Sequence, residues 1–82
     1  MIRTVVIGAA GRMGRRLVAN ILESETLSLA GAVEYPGCPL VGTDAGTLAG
    51  CAAANVAVTD DLKAVLAGAD AVIDFADRKS VV

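Results

Sequence analysis

The sequence predicts an α/β fold built on a doubly wound parallel sheet, and three observations support this fold class. The apolar run Val5–Ile7 leads into a turn with glycines at positions 8, 11 and 14, and an amphipathic segment follows. A second apolar run, Leu29–Val33, ends at Glu34, twenty residues after Gly14. With one Tyr, one Phe and no Trp, the core has to consist of Val, Leu, Ile and Ala, which suits a parallel sheet covered by helices.

The first strand and the helix after it have the clearest pattern. We expect a fully buried strand over residues 2–8, because three consecutive branched apolar residues suit a sheet that is covered on both faces. A helix is expected over residues 11–23, and a turn at Ser24–Thr26 leads into a second strand over Leu27–Glu34. The apolar face of this helix, at helical spacing, is predicted to contain Met13, Leu17, Val18, Ile21 and Leu22.

The second half of the chain has a weaker pattern. Residues 35–55 hold four glycines and two prolines without a sustained period, which predicts a long surface connection and a partly irregular second crossover. A short strand at Val56–Val58 precedes a helix start at Thr59–Asp61, where a hydroxyl and two carboxylates suit the positive helix end. This helix should end at residue 66 or 67, before Gly68. Its buried face is predicted at Leu62, Val65 and Leu66, and the fourth strand at Ala71–Phe75.

Right-handed crossovers place the strands in the order 3-2-1-4. The topological switch then lies between the first and fourth strands, so a ligand crevice is expected between Gly8–Met13 and Asp74–Asp77. The sequence stops where the next covering helix is expected. We therefore expect a truncated Rossmann-like sheet, which is either a fragment or self-associates through its uncovered fourth strand.

The residues of the glycine turn are candidates for holding a diphosphate, since glycines let a phosphate approach a helix start. The spacing G-x-x-G-x-x-G is one residue longer than the common dinucleotide fingerprint, and Gly14 is expected to serve close helix packing. Arg12 could meet a phosphate, whereas Arg15 and Arg16 are expected on the solvated helix face. Glu34 stands where an acid accepts ribose hydroxyls and repels a 2′-phosphate, which favours NADH over NADPH. The alternative is that the glycines serve packing alone and that Glu34 is a solvated strand end.

The composition of the chain argues against several other classes of function. The net charge is −2, and the arginines cluster at the glycine turn, which argues against nucleic acid or a membrane as partner. Cys38 and Cys51 have no C-x-x-C spacing and the chain has no His, so no metal site is predicted. Beside Asp74 and Asp77 the sequence offers no base, nucleophile or metal ligand that would suit general acid–base chemistry, so no catalytic residue is assigned. Unpaired thiols and the absence of a signal-like start predict a cytoplasmic protein.

Three segments closely resemble the amino-terminal part of dihydrodipicolinate reductase: Gly8–Arg15, Gly42–Gly50 and Val72–Phe75. The resemblance covers essentially the whole chain. It implies an oxidoreductase of lysine and diaminopimelate biosynthesis that transfers a hydride from NADH or NADPH to a cyclic imine dicarboxylate, and a homo-oligomeric full-length protein. The cofactor-binding residues it implies are Gly8, Ala9, Ala10, Gly11, Arg12 and Met13 for the diphosphate, Glu34 for the ribose and Phe75 near the nicotinamide.

The sequence also departs from this family. Tyr35 stands where members that use NADPH well commonly carry Arg, and Ala76–Arg78 replaces the usual Thr or Ser and following Pro. The family's histidine pair and catalytic lysine correspond to positions beyond Val82, so residues 1–82 are expected to be an NAD(P)-binding domain that is inactive alone. Two alternatives remain: a stand-alone nucleotide-binding or regulatory module, and a fragment of an S-adenosylmethionine-dependent transferase. Arg12 disfavours the latter, because that ligand carries no diphosphate.

Overall fold

A computed structural model of the chain describes residues 1–74, and within them four strands alternate with three helices. The strands are β1 (Ile2–Ile7), β2 (Leu27–Val33), β3 (Val58–Thr59) and β4 (Ala71–Asp74), and the helices are α1 (Arg12–Glu23), α2 (Ala45–Leu48) and α3 (Leu62–Leu66). Neighbouring strands are parallel, in the order β3-β2-β1-β4. The predicted fold class and strand order are confirmed.

The hydrophobic core lies where α1 packs on the two central strands. Val6 of β1, Ala32 of β2 and Ile21 of α1 are all at most 1% exposed and belong to one cluster. The prediction of a fully buried first strand is wrong at its amino-terminal end, where Ile2 and Arg3 are exposed. At this end Arg3 pairs with the solvated carboxylate of Asp70 at the surface. Arg3 N donates to Asp70 Oδ2 at 2.9 Å, and the Arg3 guanidinium forms an ion pair with the same oxygen.

Helix α1 covers the sheet with its predicted apolar face except at Met13, since Leu17 and Leu22 also pack against the core. Its buried residues are Gly14, Val18 and Ile21, and Met13 is 56% exposed. Met13 belongs to the first turn of α1, which extends past the carboxyl end of β1 and borders a crevice instead of the sheet. Met13 therefore departs from the apolar face predicted for α1, and the residue is available to a ligand.

Residues 35–55 are more ordered than a surface connection. Asp44 caps α2, and its Oδ2 accepts hydrogen bonds from Thr47 N at 3.0 Å and Ala54 N at 2.9 Å. These amides, Ala54 first, lower the pKa of Asp44 from 3.8 to about 2. Ala45 is buried and α2 packs against α1, so the second crossover contributes to the core. A four-residue helix is too short to produce a period in the sequence, which is why the pattern missed it.

The elements β3, α3 and β4 are short. Strand β3 has two residues, because Ala57 forms an antiparallel bridge with Asp44 instead of joining the sheet. Helix α3 is capped by Asp61, whose Oδ1 accepts from Ala64 N at 3.2 Å, and none of its residues is fully buried. Leu66, expected in the core, is 38% exposed since this five-residue helix meets the sheet mainly where Val65 faces Gly31. None of the helices in residues 1–74 is long and apolar enough to cross a membrane.

Candidate functional site

A crevice of about 1030 Å³ opens at the carboxyl ends of β1, β2 and β4. This is the edge at which open parallel sheets bind ligands, on either side of the strand where the order reverses. Its lining comes from five segments: the end of β1, the glycine turn with the first turn of α1, the end of β2, the connection after β2, and the end of β4. The lining residues are Ile7, Gly8, Ala10, Gly11, Arg12, Met13, Val33, Glu34, Tyr35, Cys38, Pro39, Leu40 and Asp74.

The glycine turn is tied to the neighbouring strand. Gly8 has a φ of +84°, a left-handed conformation that side chains disfavour, and it joins β1 to the turn. Gly8 N and Ala9 N both donate to Val33 O, at 2.8 Å and 3.2 Å, so the turn is fixed to the end of β2. A Cβ on Gly14 would collide with the Gly8 carbonyl oxygen and lie 2.8 Å from Ala9 Cα. Gly14 therefore permits the close approach of α1, as predicted.

The start of α1 is open to the crevice. Its N-cap is Gly11, with no side-chain hydrogen bond to the first helical amides, whereas Asp44 and Asp61 cap the other two helices described. Free amides at a helix start carry a partial positive charge and favour an anion. A Cβ on Gly11 would meet only Gly8 O, at an ordinary 3.5 Å, so the fold itself does not require glycine at this position. The missing side chain leaves room on the crevice side.

Glu34 lies directly beside the turn. Its Oε2 accepts a hydrogen bond from Ala10 N at 2.7 Å, and Oε1 accepts from Tyr35 N at 3.3 Å. Glu34 N donates to Thr59 O at 2.9 Å, which fixes the backbone on the side of β3. Each carboxylate oxygen can accept more than one hydrogen bond, so the half-buried group can still accept hydroxyl donors from a ligand. The sequence placed Glu34 and the turn in one site, and the structure brings them into contact.

Two arginines stand at the turn. Arg12 is exposed and lines the crevice, as the charge pattern suggested. Arg15 is exposed, as predicted, and its Nε in addition donates to Ala10 O at 2.9 Å. Ala10 is thus held on both sides, by Arg15 through its carbonyl and by Glu34 through its amide. These contacts fix the peptide groups that face the crevice.

One wall of the crevice was missed by the sequence analysis. Tyr35, Cys38, Pro39 and Leu40 follow β2 and line the crevice beyond Glu34. The signal was the pair Pro36-Gly37 directly after the strand. Cys38 N donates to Tyr35 O at 3.1 Å and Gly37 has a φ of +93°, which is the geometry of a type II turn with Pro and Gly at its centre.

The predicted site residues are not all placed in the crevice. Ala9 is 1% exposed and belongs to the core cluster, so its side chain points away from the crevice. Asp74 lines the crevice at the end of β4. Phe75 and Asp77 lie outside the described residues. Among residues 1–74 no group of three His, Cys, Asp or Glu side chains could hold a metal ion.

The fold and the crevice together define a Rossmann-like domain of the dinucleotide-binding class. The sequence profile described as "Dihydrodipicolinate reductase, N-terminus" matches residues 2–82. The chain belongs to this family, which binds a nicotinamide dinucleotide, and the resemblance inferred from the glycine turn and the Gly42–Gly50 segment is confirmed.

Curated relatives support the same family assignment. The chain is 53% identical over 79 residues to a 4-hydroxy-tetrahydrodipicolinate reductase of Pelobacter propionicus and 52% identical over 79 residues to that of Geotalea daltonii, covering 96% of this chain in each case. It is 51% identical over all 82 residues to that of Anaeromyxobacter dehalogenans strain 2CP-1. The chain spans about 30% of the length of these relatives. Neither the regulatory module nor the transferase is favoured by these comparisons.

Proposed function

We propose that residues 1–82 form the NAD(P)H-binding domain of an oxidoreductase that reduces 4-hydroxy-tetrahydrodipicolinate in lysine and diaminopimelate biosynthesis. The substrate comes from the names of the relatives. The observation that carries the cofactor assignment is the contact between Glu34 Oε2 and Ala10 N, at 2.7 Å, beside the uncapped start of α1. An acceptor for ribose hydroxyls and a cradle for a diphosphate thus adjoin each other.

Different residues of the crevice bind different parts of the cofactor. The diphosphate lies on the first amides of α1, at Arg12 and Met13, where charge-assisted hydrogen bonds contribute about 1.5–3 kcal/mol each. The Arg12 guanidinium adds positive charge at the same place. Glu34 accepts the hydroxyls of the adenosine ribose. The cofactor, when bound, supplies the hydride, and its nicotinamide lies toward the ends of β1 and β4; the role of Phe75 there stays a prediction.

The proposal includes a preference for NADH over NADPH. A 2′-phosphate would replace a ribose hydroxyl that donates a hydrogen bond to Glu34. It would also place negative charge next to the Glu34 carboxylate, which repels it. Tyr35, the next residue, has no guanidinium to neutralise that phosphate. Arg12 acts in the opposite direction, but it lies at the turn, where it is available to the diphosphate. We therefore expect Glu34 to dominate the selectivity.

The test is a comparison of dissociation constants for NADH, NADPH and S-adenosylmethionine at matched salt. We expect NADH to bind more tightly than NADPH and S-adenosylmethionine not to bind. Tenfold tighter binding of NADPH would contradict the cofactor preference, and binding of S-adenosylmethionine alone would contradict the proposed function. Arg12→Gln should weaken both nicotinamide dinucleotides, whereas Arg16→Gln, an exposed residue on the same helix, serves as the matched control and should leave both unchanged.

We further propose that the protein works in the cytoplasm as a homo-oligomer. The support for assembly is that β4 is an outer strand of the described sheet and exposes 44% of Val72. An outer strand offers backbone hydrogen-bonding groups to a second copy. Sedimentation velocity over a range of concentrations should show self-association, and a monomer at every concentration would contradict this part of the proposal.

A further inference from the structure

Ala10 is held differently from its neighbours in the glycine turn. The amides of the residues on either side of it donate to backbone oxygens. Ala10 N donates instead to the Glu34 carboxylate, and Ala10 O accepts from the guanidinium of Arg15. Two side chains of opposite charge, one from the end of β2 and one from α1, therefore hold the two backbone polar groups of a single residue.

Arg15 reaches the turn from within α1. Its own amide donates to Gly11 O at 2.9 Å, and its side chain extends back toward the start of the helix, as helical side chains do. Arg15 is exposed and is not among the described residues that line the crevice, whereas Ala10 and Glu34 both line it. Arg15 can therefore affect a ligand only through the residues that it contacts or through its charge.

The conformation of Ala10 is not fixed by the turn alone. Glycines stand at positions 8 and 11, and glycine restricts the backbone torsions least. The Ala10 N–H and C=O lie on either side of its Cα, so hydrogen bonds at both groups fix the orientation of this residue. Without the bond at its carbonyl, Ala10 can rotate and weaken the 2.7 Å bond to Glu34 Oε2. The other donor to this carboxylate is Tyr35 N, at a longer 3.3 Å.

We propose that Arg15 is a positioning residue for the cofactor: by holding the Ala10 carbonyl it keeps the Ala10 amide on Glu34 and so orients the carboxylate for the ribose hydroxyls. The inference rests on the proposed function and deepens it, since Arg15 does not itself line the crevice. The competing explanation is that the charge of Arg15 alone attracts the diphosphate. The two explanations differ in which variants keep the affinity and in what happens at Ala10.

Two uncharged variants separate the hydrogen bond from the charge. The side-chain amide nitrogen of Gln is bonded to Cδ, as Nε of Arg is, so Arg15→Gln keeps a donor without the charge. Arg15→Met has neither donor nor charge. Titration with NADH should show a loss of about threefold to tenfold for Arg15→Met and of less than about twofold for Arg15→Gln. Arg16→Met, at the next exposed position, is the control for charge and should bind NADH as the unmodified chain does.

Amide NMR of the ligand-free chain measures the positioning step itself. The Ala10 N–H should exchange with solvent about threefold to tenfold faster in Arg15→Met, because the bond to Glu34 opens more often. Arg15→Gln and Arg16→Met should leave this exchange rate unchanged. Equal losses of affinity in Arg15→Gln and Arg15→Met, or an unchanged Ala10 amide in Arg15→Met, would overturn the proposal in favour of a charge effect.

A double-mutant cycle ties Arg15 to Glu34. In the background of Glu34→Ala, Arg15→Met should cause no further loss of NADH affinity, because the carboxylate that Arg15 orients is gone. Thermal unfolding of each variant checks that it is folded. Equal effects of Arg15→Met in both backgrounds would overturn the positioning role and leave the proposed function intact. If the unmodified chain did not bind NADH, the proposed function would fail and the role of Arg15 with it.

Discussion

Three glycine-to-alanine substitutions distinguish the effect of a glycine on ligand affinity from its effect on the stability of the fold. At Gly11 the backbone φ is −76° and an added Cβ would lie 3.5 Å from Gly8 O, which is ordinary contact. We expect Gly11→Ala to lower the free energy of unfolding by about 0.5–1 kcal/mol, because Ala is a poorer N-cap residue than Gly, and the variant should stay folded. The methyl group would nevertheless stand on the crevice side of the helix start, in the path of a diphosphate.

The expected loss of affinity follows from the hydrogen bonds that the diphosphate makes with the α1 amides. Loss of one charge-assisted hydrogen bond to the diphosphate costs about 1.5–3 kcal/mol of binding free energy. This loss raises the dissociation constant for NADH about tenfold to a hundredfold. Gly11→Val, with a branched side chain, should abolish binding. Calorimetric titration with NADH measures this loss, and thermal unfolding monitored by circular dichroism measures stability on the same samples.

Two controls complete the series. Gly68→Ala adds a methyl group with nothing within 4 Å and lies away from the crevice, so stability and affinity should both stay as they are. Gly14→Ala forces a Cβ onto the Gly8 carbonyl and should destabilise the fold by about 1–3 kcal/mol, lowering the midpoint temperature by about 4–8 °C per kcal/mol. A folded Gly11→Ala variant that binds NADH as tightly as the unmodified chain would refute the assignment of the diphosphate to α1.

Three further predictions concern acid stability, cofactor choice and activity. The pKa of Asp44 is about 2 in the fold and 3.8 otherwise, so its contribution to stability is present above about pH 4 and is lost as the pH falls toward about 2. Asp44→Asn should therefore unfold at a lower temperature than the unmodified chain at neutral pH, and a difference that does not shrink on acidification would contradict this. Tyr35→Arg should raise the affinity for NADPH about tenfold by pairing with the 2′-phosphate, and unchanged affinity in parallel titrations would count against Glu34–Tyr35 as the selectivity site. The 82-residue chain alone should not oxidise NADH in the presence of 4-hydroxy-tetrahydrodipicolinate, since hydride transfer also needs a proton donor and a held substrate, and the chain has no His and only Lys63 and Lys79. Turnover above a control without protein would contradict that reasoning.

The sheet was predictable from the sequence because its central strands are apolar on both faces. The apolar runs Val5–Ile7 and Leu29–Val33 fix two parallel neighbours, and the handedness of the crossovers fixes the remaining order. The second crossover was not predictable in the same way. Helix α2 is stabilised by the Asp44 carboxylate, which bonds amides up to twelve residues away, and hydrophobic periodicity carries no trace of such a contact.

The candidate site was predictable in its polar half. The spacing of the glycines and the distance to Glu34 point to the turn and the acid, and topology requires both at the same sheet edge. The apolar half was not, because Cys38 and Leu40 reach the crevice only through two consecutive turns that begin at Tyr35. Arg15 is on the solvated face as predicted, but its hydrogen bond to the Ala10 carbonyl was not predictable, because helical spacing gives no information about a partner in the preceding turn.

The central claim is that the crevice binds a nicotinamide dinucleotide, and titration with NADH followed by backbone amide NMR tests it most directly. We expect the largest chemical-shift changes on the amides of Gly11–Met13 and on those of Glu34 and Tyr35. The shallow depression beside Leu22 and Cys51, on another part of the surface, provides an internal control whose amides should not respond. The absence of shift changes up to millimolar NADH, or changes that cluster at the depression, would contradict the account.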